Sequence, residues 1–485
     1  MNQEIRMLEP NDLWNNFSDL NAVPRGSKKE ERVIAFMVAF GKKLGLETIV
    51  DPIQNVIIKK PASPGMENRK TIVMQSHLDM VHQKNADTQF DFDEEGIKMI
   101  IDGDWVTAKG TTLGADNGLG VAAIMSVLAS KDIVHPAIEA LFTIDEETGM
   151  TGAKGLQAGY LEGEILLNLD TEEDDEIDIG CAGGIDVTAK KNYKEVILEG
   201  NCKAFNISLT GLNGGHSGMD IHKGLGNANK LMNQIFEATH AIILITNVKG
   251  GSLRNAIPRE SFATIVCDTA NAGKFIAKAQ ETANQIKDSF KDIEPNLKFS
   301  FEAVECPLKA INKIDQLALI NAMKNAHNGV FKMSEVMEDL VEASNNIAKV
   351  NLNNGTIQIE CLTRSSDEES KTEVANSLKE TFENEGFEVE FSGSYPGWQP
   401  NANSPILSVM EKIYEDVFNS KPAVVACHAG LECGILGTNY PDMDMISFGP
   451  TIQGAHSPDE RASISSSQRF WKYLLEILKN IPVKE

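Results

Sequence analysis

Long apolar runs are missing from this chain of 485 residues. No window approaches the roughly 18 consecutive apolar residues that a membrane-spanning helix needs. Met1 to Pro10 carries Glu4, Arg6 and Glu9 where a secretory leader would have an apolar core. The chain is therefore expected in the cytoplasm, with no membrane partner. Cysteine is also scarce: the seven residues at 181, 202, 267, 306, 361, 427 and 433 form an odd set without Cys-x-x-Cys spacing. In a chain of this size that excludes a disulfide framework and reads as reduced thiols. Cys427 and Cys433 flank His428, but small buried thiols explain them better than a zinc knuckle does. Basic residues are outnumbered, 45 Lys and Arg against 70 Asp and Glu, for a net charge of -25. Such a surface repels phosphate backbones, so no nucleic-acid partner is expected. With 17 Pro, 38 Gly, 42% hydrophobic and 24% charged residues, neither disorder nor a collagen-like repeat fits, and the length implies two or three folded domains.

What is present is alternation of strand and helix. Val33, Ile34, Phe36, Met37, Phe40 and Leu44 recur at helical spacing, and Gly45 follows as a C-cap. Apolar runs at Asn55 to Ile58, Thr71 to Met74, Ile138 to Ile144 and Ile165 to Leu169 are interleaved with a helical stretch from Gly118 to Leu128. This pattern predicts an α/β layer with a mixed, mostly parallel sheet flanked by helices, whose ligands gather beyond the carboxyl ends of the strands. After Gly180 to Gly184 the texture changes to strict alternation, as in Phe205 to Leu209. A weak internal repeat runs through this second region: strand Phe262 to Cys267, helix Ala272 to Phe290 and strand Leu297 to Phe301 are echoed by Thr356 to Cys361, Glu368 to Phe382 and Phe387 to Phe391. Upstream, Arg254 to Ile257 and Asn345 to Ala348 are expected to match. The breaker-rich run Ser394 to Pro400 closes the region. The predicted organisation is a discontinuous domain over 1–185 and 401–485 and an inserted α+β domain over 186–400 with two similar halves.

Chemistry concentrates where the apolar runs end. The run from Thr71 leads into His77-Leu78-Asp79, and with period two His77 and Asp79 point to one side, a pairing in which the carboxylate orients a ligand imidazole. Asp116 stands at the entrance of the helix from Gly118, where an N-cap is the simpler role. Glu146 and Glu147 follow the Ile138 run as adjacent like charges that need a cation. Asp170 ends the Ile165 run, and His456 lies in the turn-rich string Gly454 to Glu460. Each segment alone is bland. Together they supply nitrogen and oxygen ligands of the kind used by zinc, manganese or cobalt.

The order His77-x-Asp79, Gly114-Ala115-Asp116-Asn117-Gly118, Glu146-Glu147-x-Gly149, Asn168-Leu169-Asp170 and His456-Ser457 resembles the co-catalytic zinc peptidases of the aminoacylase and carboxypeptidase G clan. The strings Asn213 to Gly218, Cys361 to Ser366 and Cys427 to Gly434 are similar to those of its aminoacyl-histidine (Xaa-His) dipeptidases. The resemblance implies two divalent metal ions, zinc foremost, with manganese or cobalt as alternatives. By the family pattern His77 and Asp170 would hold one ion, Glu147 and His456 the other, and Asp116 would bridge them. Ions about 3.5–4 Å apart lower the pKa of a shared water and stabilise the oxyanion formed by its attack on a peptide carbonyl. Glu146 would be the general base, Asp79 an essential orienting residue, and the Asp116–Asn117 peptide cis. In the inserted domain, by analogy a lid, His216 would steady the carbonyl oxygen. Asn255 and Arg364 would contact the substrate's backbone or carboxylate, and Gly430 would let a loop approach it. The implied activity is metal-dependent hydrolysis of unblocked dipeptides, Xaa-His and carnosine among them. The alternatives are an N-acyl amino acid amidohydrolase or tripeptidase of the same clan, and a non-catalytic peptide-binding protein. Small peptides are the expected partners, with the chain a monomer or homodimer.

Overall fold

A computed structural model describes residues 2–198 and 200–484. They divide into two units, Met1–Gly180 with Trp398–Ala426 and Leu431–Glu485, and Cys181–Gly397 with Cys427–Gly430. The short Cys427–Gly430 excursion departs from the uninterrupted 401–485 return read from the sequence. It groups with the second unit because Ala182 N donates to the carbonyls of Cys427 (3.0 Å) and Ala429 (2.9 Å), and His428 Nε2 meets Ser344 Oγ at 2.8 Å.

In the first unit, strands β1 (Ile72–His77), β2 (Ile138–Thr143) and β3 (Ile165–Asn168) are buried along their whole length. Continuous apolar runs suit strands covered on both faces. β1 pairs parallel with β2 (His77 opposite Thr143) and with β3 (Gln75 opposite Asn168), so all three end at the same edge. Asp444–Ser447 adds a fourth parallel strand beside β3, while Glu47–Val50, Val56–Lys60 and Glu176–Cys181 extend the sheet antiparallel. The sheet is mixed, with parallel pairs at its centre. Helix α1 (Glu31–Lys43) ends at Gly45, which has φ of 70°. Helix α2 (Ala115–Ala129) is buried from Asn117 to Leu128, and its regular helical backbone runs from the expected Gly118, because Asp116 and Asn117 have non-helical backbone angles. It approaches the strand ends closely at Gly120, where a Cβ would stand 2.5 Å from Ser76 Oγ and 2.6 Å from Leu169 O; only glycine fits there.

The second unit is built on one antiparallel sheet. In chain order its main strands are β4 (Gly183–Asn192), β5 (Cys202–Thr210), β6 (Ile243–Gly250), β7 (Ser261–Asp268), β8 (Lys298–Val304), β9 (Val341–Asn353), β10 (Thr356–Ser365) and β11 (Glu388–Tyr395). They lie in the order β8-β5-β7-β6-β9-β10-β4-β11. The sequence β5, helix α3 (Ala228–Thr239), β6, β7, helix α4 (Ala272–Phe290), β8 is repeated by β4, helix α5 (Lys313–Asn325), β9, β10, helix α6 (Glu368–Asn384), β11. Each half is a split β-α-β motif, and β6 and β9 join them, with Lys249 opposite Asn351. The first half is inserted whole between β4 and α5 of the second. The expected correspondence of Arg254 to Ile257 with Asn345 to Ala348 fails: the latter lies inside β9, whose counterpart is β6, whereas Arg254 and Asn255 sit in the loop that follows β6. Period-two alternation puts Phe205, Ile207 and Leu209 of β5 into a core with Ala279, Ala283 and Ile286 of α4, and leaves Asn206 exposed. Among the described residues no helix is long and apolar enough to cross a membrane.

Candidate metal centre

The shared edge of β1, β2 and β3 is where seven of the singled-out residues meet. His77 ends β1. Asp145 leaves β2 with φ of 53°, and the turn it opens carries Glu146 and Glu147. Asp170 follows β3. Asp116 sits at the head of α2 with extended ψ (114°), so its side chain departs from the helix instead of capping it, and the Asp116–Asn117 peptide is cis. His456 comes from the loop before the last helix and has φ of 63°.

Asp116 organises the cluster. Its Oδ1 lies 3.2 Å from His77 Nε2 and its Oδ2 lies 3.2 Å from His456 Nε2. Asp170 Oδ1 is 3.6 Å from His77 Nε2, and Glu147 Oε2 is 2.8 Å from His456 Nε2. The donors thus form two triads, His77 with Asp116 and Asp170, and Asp116 with Glu147 and His456, each with its donor atoms within 4.8 Å of one another. Asp116 belongs to both. Glu147 Oε1 is buried without a hydrogen-bond partner, as expected of an atom meant for something other than protein. An all-nitrogen and oxygen set with a shared carboxylate fits a pair of divalent cations.

Asp79 anchors the turn. It lies 3.4 Å from His77 Nδ1, accepts from the backbone N–H of Glu146 (3.0 Å) and Glu147 (3.3 Å), and takes a third bond from Ser27 Oγ (2.8 Å). His77 Nδ1 also meets Asp79 O at 3.1 Å. These contacts place a ring proton on Nδ1, so Nε2, once it gives up the proton it shares with Asp116, is the nitrogen that would ligate. Asn117 Nδ2 bonds Leu169 O (2.6 Å) and Asp170 Oδ1.

Electrostatics follow from burial among like charges. Burial pushes the Glu146 carboxyl well above its usual range, and Asp170, Glu147 and Glu432 add to the shift against the pull of His77. Burial likewise raises Asp170. Asp116 goes the other way: burial opposes ionisation, but hydrogen bonds from His456 and His77 hold it well below the usual carboxylate range. The bonds from Asp116 and Glu147 push His456 up to about 11. The cluster carries more negative charge than its two imidazoles neutralise, so added positive charge stabilises it.

Three supporting residues escaped the sequence reading. Glu460 accepts four backbone N–H groups, from Leu113 (2.7 Å), Gly114 (2.9 Å), Ala115 (2.7 Å) and Asp116 (3.3 Å). It thereby fixes the loop that carries Asp116 to the loop that carries His456. Arg25, 1% exposed, donates to the carbonyls of Leu78 (3.1 Å), Asp79 (3.1 Å) and Gly114 (2.5 Å); burial lowers its pKa to about 10. Glu432 Oε2 accepts from Gln75 Nε2 (2.6 Å) and Thr143 Oγ1 (2.5 Å) beneath the strand ends, and burial pushes it up to about 7. Glu460, four residues after His456, carried a spacing signal, but Arg25 had none.

The other four singled-out residues lie in the second unit. His216 Nδ1 accepts from the N–H groups of Gly218 (3.3 Å) and Met219 (3.1 Å), and its Nε2 faces Arg364 Nη2 at 3.4 Å. Arg364, on β10, donates to Tyr395 Oη (3.1 Å) and Ser217 Oγ (3.4 Å). Asn255 O accepts from Ser217 N at 2.8 Å. Gly430 closes the Cys427–Gly430 segment. Burial, with Arg364 nearby, lowers His428 to about 3, so it is neutral where it meets Ser344. Cys433 is buried but Cys427 is only half-buried, and neither belongs to a cluster able to hold a cation among the described residues.

Comparison with known proteins identifies the family of the chain. Residues 73–480 match Peptidase family M20/M25/M40. The chain is 42% identical over 484 residues to the cytosol non-specific dipeptidase of Escherichia coli (strain K12), covering 99% of this chain and all of the relative. The crystal structure of aminoacylhistidine dipeptidase from Vibrio alginolyticus superposes with a TM-score of 0.89 at 43% identity, covering 100% of this chain and 99% of that one. Aminopeptidase PepT from Bacillus cereus, 16% identical over 98% of this chain and 99% of its own, shares the fold with a TM-score of 0.57. The strand-end cluster of imidazoles and carboxylates therefore stands in a chain that belongs to peptidase family M20/M25/M40, enzymes that cleave peptide bonds with the help of divalent metal ions.

Proposed function

We propose that this protein is a cytoplasmic dipeptidase that hydrolyses unblocked dipeptides, Xaa-His and carnosine among them, with two zinc ions. The observation that carries the proposal is the Asp116 carboxylate, whose two oxygens face two different histidines. The relatives named dipeptidases, at 42% and 43% identity over essentially the whole chain, point the same way. His77, Asp116 and Asp170 would hold one ion and Asp116, Glu147 and His456 the other, and the pair would supply a water of lowered pKa and a polarised carbonyl.

The remaining work falls to the chain. Glu146, held in its turn by the Asp79 bond to its N–H, takes the proton from the attacking water and returns it to the departing amine. Asp79 keeps the His77 ring oriented. In the second unit Arg364 grips the substrate's carboxylate with its planar fork, Asn255 and Gly430 contact the substrate backbone, and His216 steadies the carbonyl oxygen as negative charge develops.

The test is hydrolysis of carnosine, Ala-His, Leu-Gly, a tripeptide and N-acetyl-Met by chelated protein before and after adding zinc, manganese or cobalt. Metal-restored cleavage confined to the dipeptides, strongest with zinc, is the expected result. Cleavage of N-acetyl-Met would move the activity to an amidohydrolase, and no cleavage with any metal would leave only peptide binding.

A further inference from the structure

The inserted half of the second unit is entered and left at one place. Strands Glu195–Ile197 and Lys309–Ile311 pair antiparallel there, Val196 opposite Ala310, and form a neck. Just beyond it, on the side of the inserted half, stand Cys202, the first residue of β5, and Cys306, two residues past the end of β8. β5 and β8 pair antiparallel with Ala204 opposite Val304, and continuing that register by two residues brings Cys306 opposite Cys202. Facing residues of antiparallel strands have Cα atoms about 4.5–5.5 Å apart, within the span that a disulfide bridges.

The side chains meet as this register requires. The Cys202 and Cys306 thiols hydrogen-bond to each other, and the neighbouring sulfur pushes Cys306 up to about 11. Both thiols are free and half-exposed, unlike Cys181, Cys267, Cys361 and Cys433, which are buried. Cys267 stands opposite Lys203, one place out of phase with Cys202, and it faces the core. Exposure sets the pair apart from the four buried cysteines, and its facing position and mutual contact set it apart from the half-exposed Cys427, whose Sγ meets Met219 Sδ at 3.5 Å; no part of the peptidase chemistry uses it.

We propose that Cys202 and Cys306 are a reversible redox clip, which a peroxide closes into a disulfide across the neck of the inserted half. One thiolate attacks the O–O bond of hydrogen peroxide, giving a sulfenic acid and hydroxide. The second sulfur then displaces hydroxide from the sulfenic sulfur. The sulfurs together lose two electrons, the peroxide gains them, and the two thiol protons leave in two waters. A dithiol reductant reverses the step by exchange. Closure converts the inserted half into a loop tied at its base, which restricts its opening. Reversible bridges of this kind suit a reducing compartment better than permanent ones.

The experiment treats the metal-loaded full chain with hydrogen peroxide, alkylates the remaining thiols under denaturing conditions and maps the peptides by mass spectrometry, with limited proteolysis in parallel. The expected result is a Cys202–Cys306 linked peptide, lost on reduction with dithiothreitol, and cleavage of the inserted half slowed several-fold in the oxidised protein. Cys202→Ser and Cys306→Ser should each abolish the link and the protection while hydrolysing peptides as the parent does. The proposal is overturned if oxidation stops at a sulfinic acid on one cysteine, if the bridges formed involve other cysteines or a second chain, or if the serine variants gain the same protection.

Discussion

Beneath the strand ends of the first unit many of the buried polar side chains are ionisable, Glu30, Asp79, Asp145, Glu432 and Glu460 among them, with Arg25 as the buried guanidinium. Along the seam between the halves of the second unit they are amides: Asn227, Asn229, Asn345 and Asn346. The amides bond one another and the backbone, although Asn229 Oδ1 is buried without a hydrogen-bond partner. Asn227 caps α3 by accepting from the N–H groups of Asn229 (3.0 Å) and Lys230 (3.2 Å), and it donates across the seam to Ile347 O (3.0 Å). An amide needs only hydrogen bonds when buried, whereas a carboxylate also needs countercharge. One region is held by neutral hydrogen bonds, and the other is arranged around charge that the chain does not itself supply.

The sharpest way to break this contrast is Glu146→Gln, which should lower kcat by about 10²–10⁴-fold while metal content, measured by elemental analysis, stays unchanged. A fall in metal content would make Glu146 a ligand and redraw the cluster. Glu432 comes next. Burial raises its pKa from 4.5 to about 7, so the folded chain binds this proton more tightly than the unfolded chain does, and stability falls as pH rises from about 4.5 through about 7. For the metal-free protein that slope amounts to about 3 kcal/mol. It should be absent in Glu432→Gln, as denaturant titrations at pH 5 and pH 8 would reveal.

Glu460→Gln should weaken metal binding by about 10–100-fold, read by competition with a chromophoric chelator, because an amide in place of the carboxylate sets two N–H donors against the four that Glu460 now receives. Unchanged affinity would reduce Glu460 to a loop tie without influence on the ligands. The smallest effect belongs to the second unit: Asn227→Ala should cost about 1–2 kcal/mol of stability, equally at pH 5 and pH 8, with metal affinity unaltered.

The comparison also explains what could be read in advance. The strands that end at the cluster were legible because full burial writes itself as an unbroken apolar run, and His77, Asp116, Glu147, Asp170 and His456 stood out because each follows a run or a turn. Arg25 was invisible, since a lone arginine between Pro24 and Gly26 looks like surface until three carbonyls from distant segments converge on it. The repeat was legible in α4 and α6, whose apolar periodicity is local. Its upstream match failed because β6 and β9 are related only through the sheet order, which short strings do not encode. Glu432 was part of a quoted string, yet its place under β1 and β2 depends on contacts across more than half the chain.

The nesting of one half inside the other fixes an order of construction. On a ribosome, β4 emerges before the inserted half, yet its sheet neighbours β10 and β11 are synthesised after it. The inserted half is contiguous in sequence, so it can close on itself while β4 is still an unpaired strand waiting for partners. The first unit waits longer, because the parallel neighbour of β3 is Asp444–Ser447 and the second imidazole is His456. On the proposed ligand assignment, cation capture by both triads would therefore be an event of the finished chain, and a nascent chain that stalls before that point would expose a half-built sheet edge for chaperones and proteases to find.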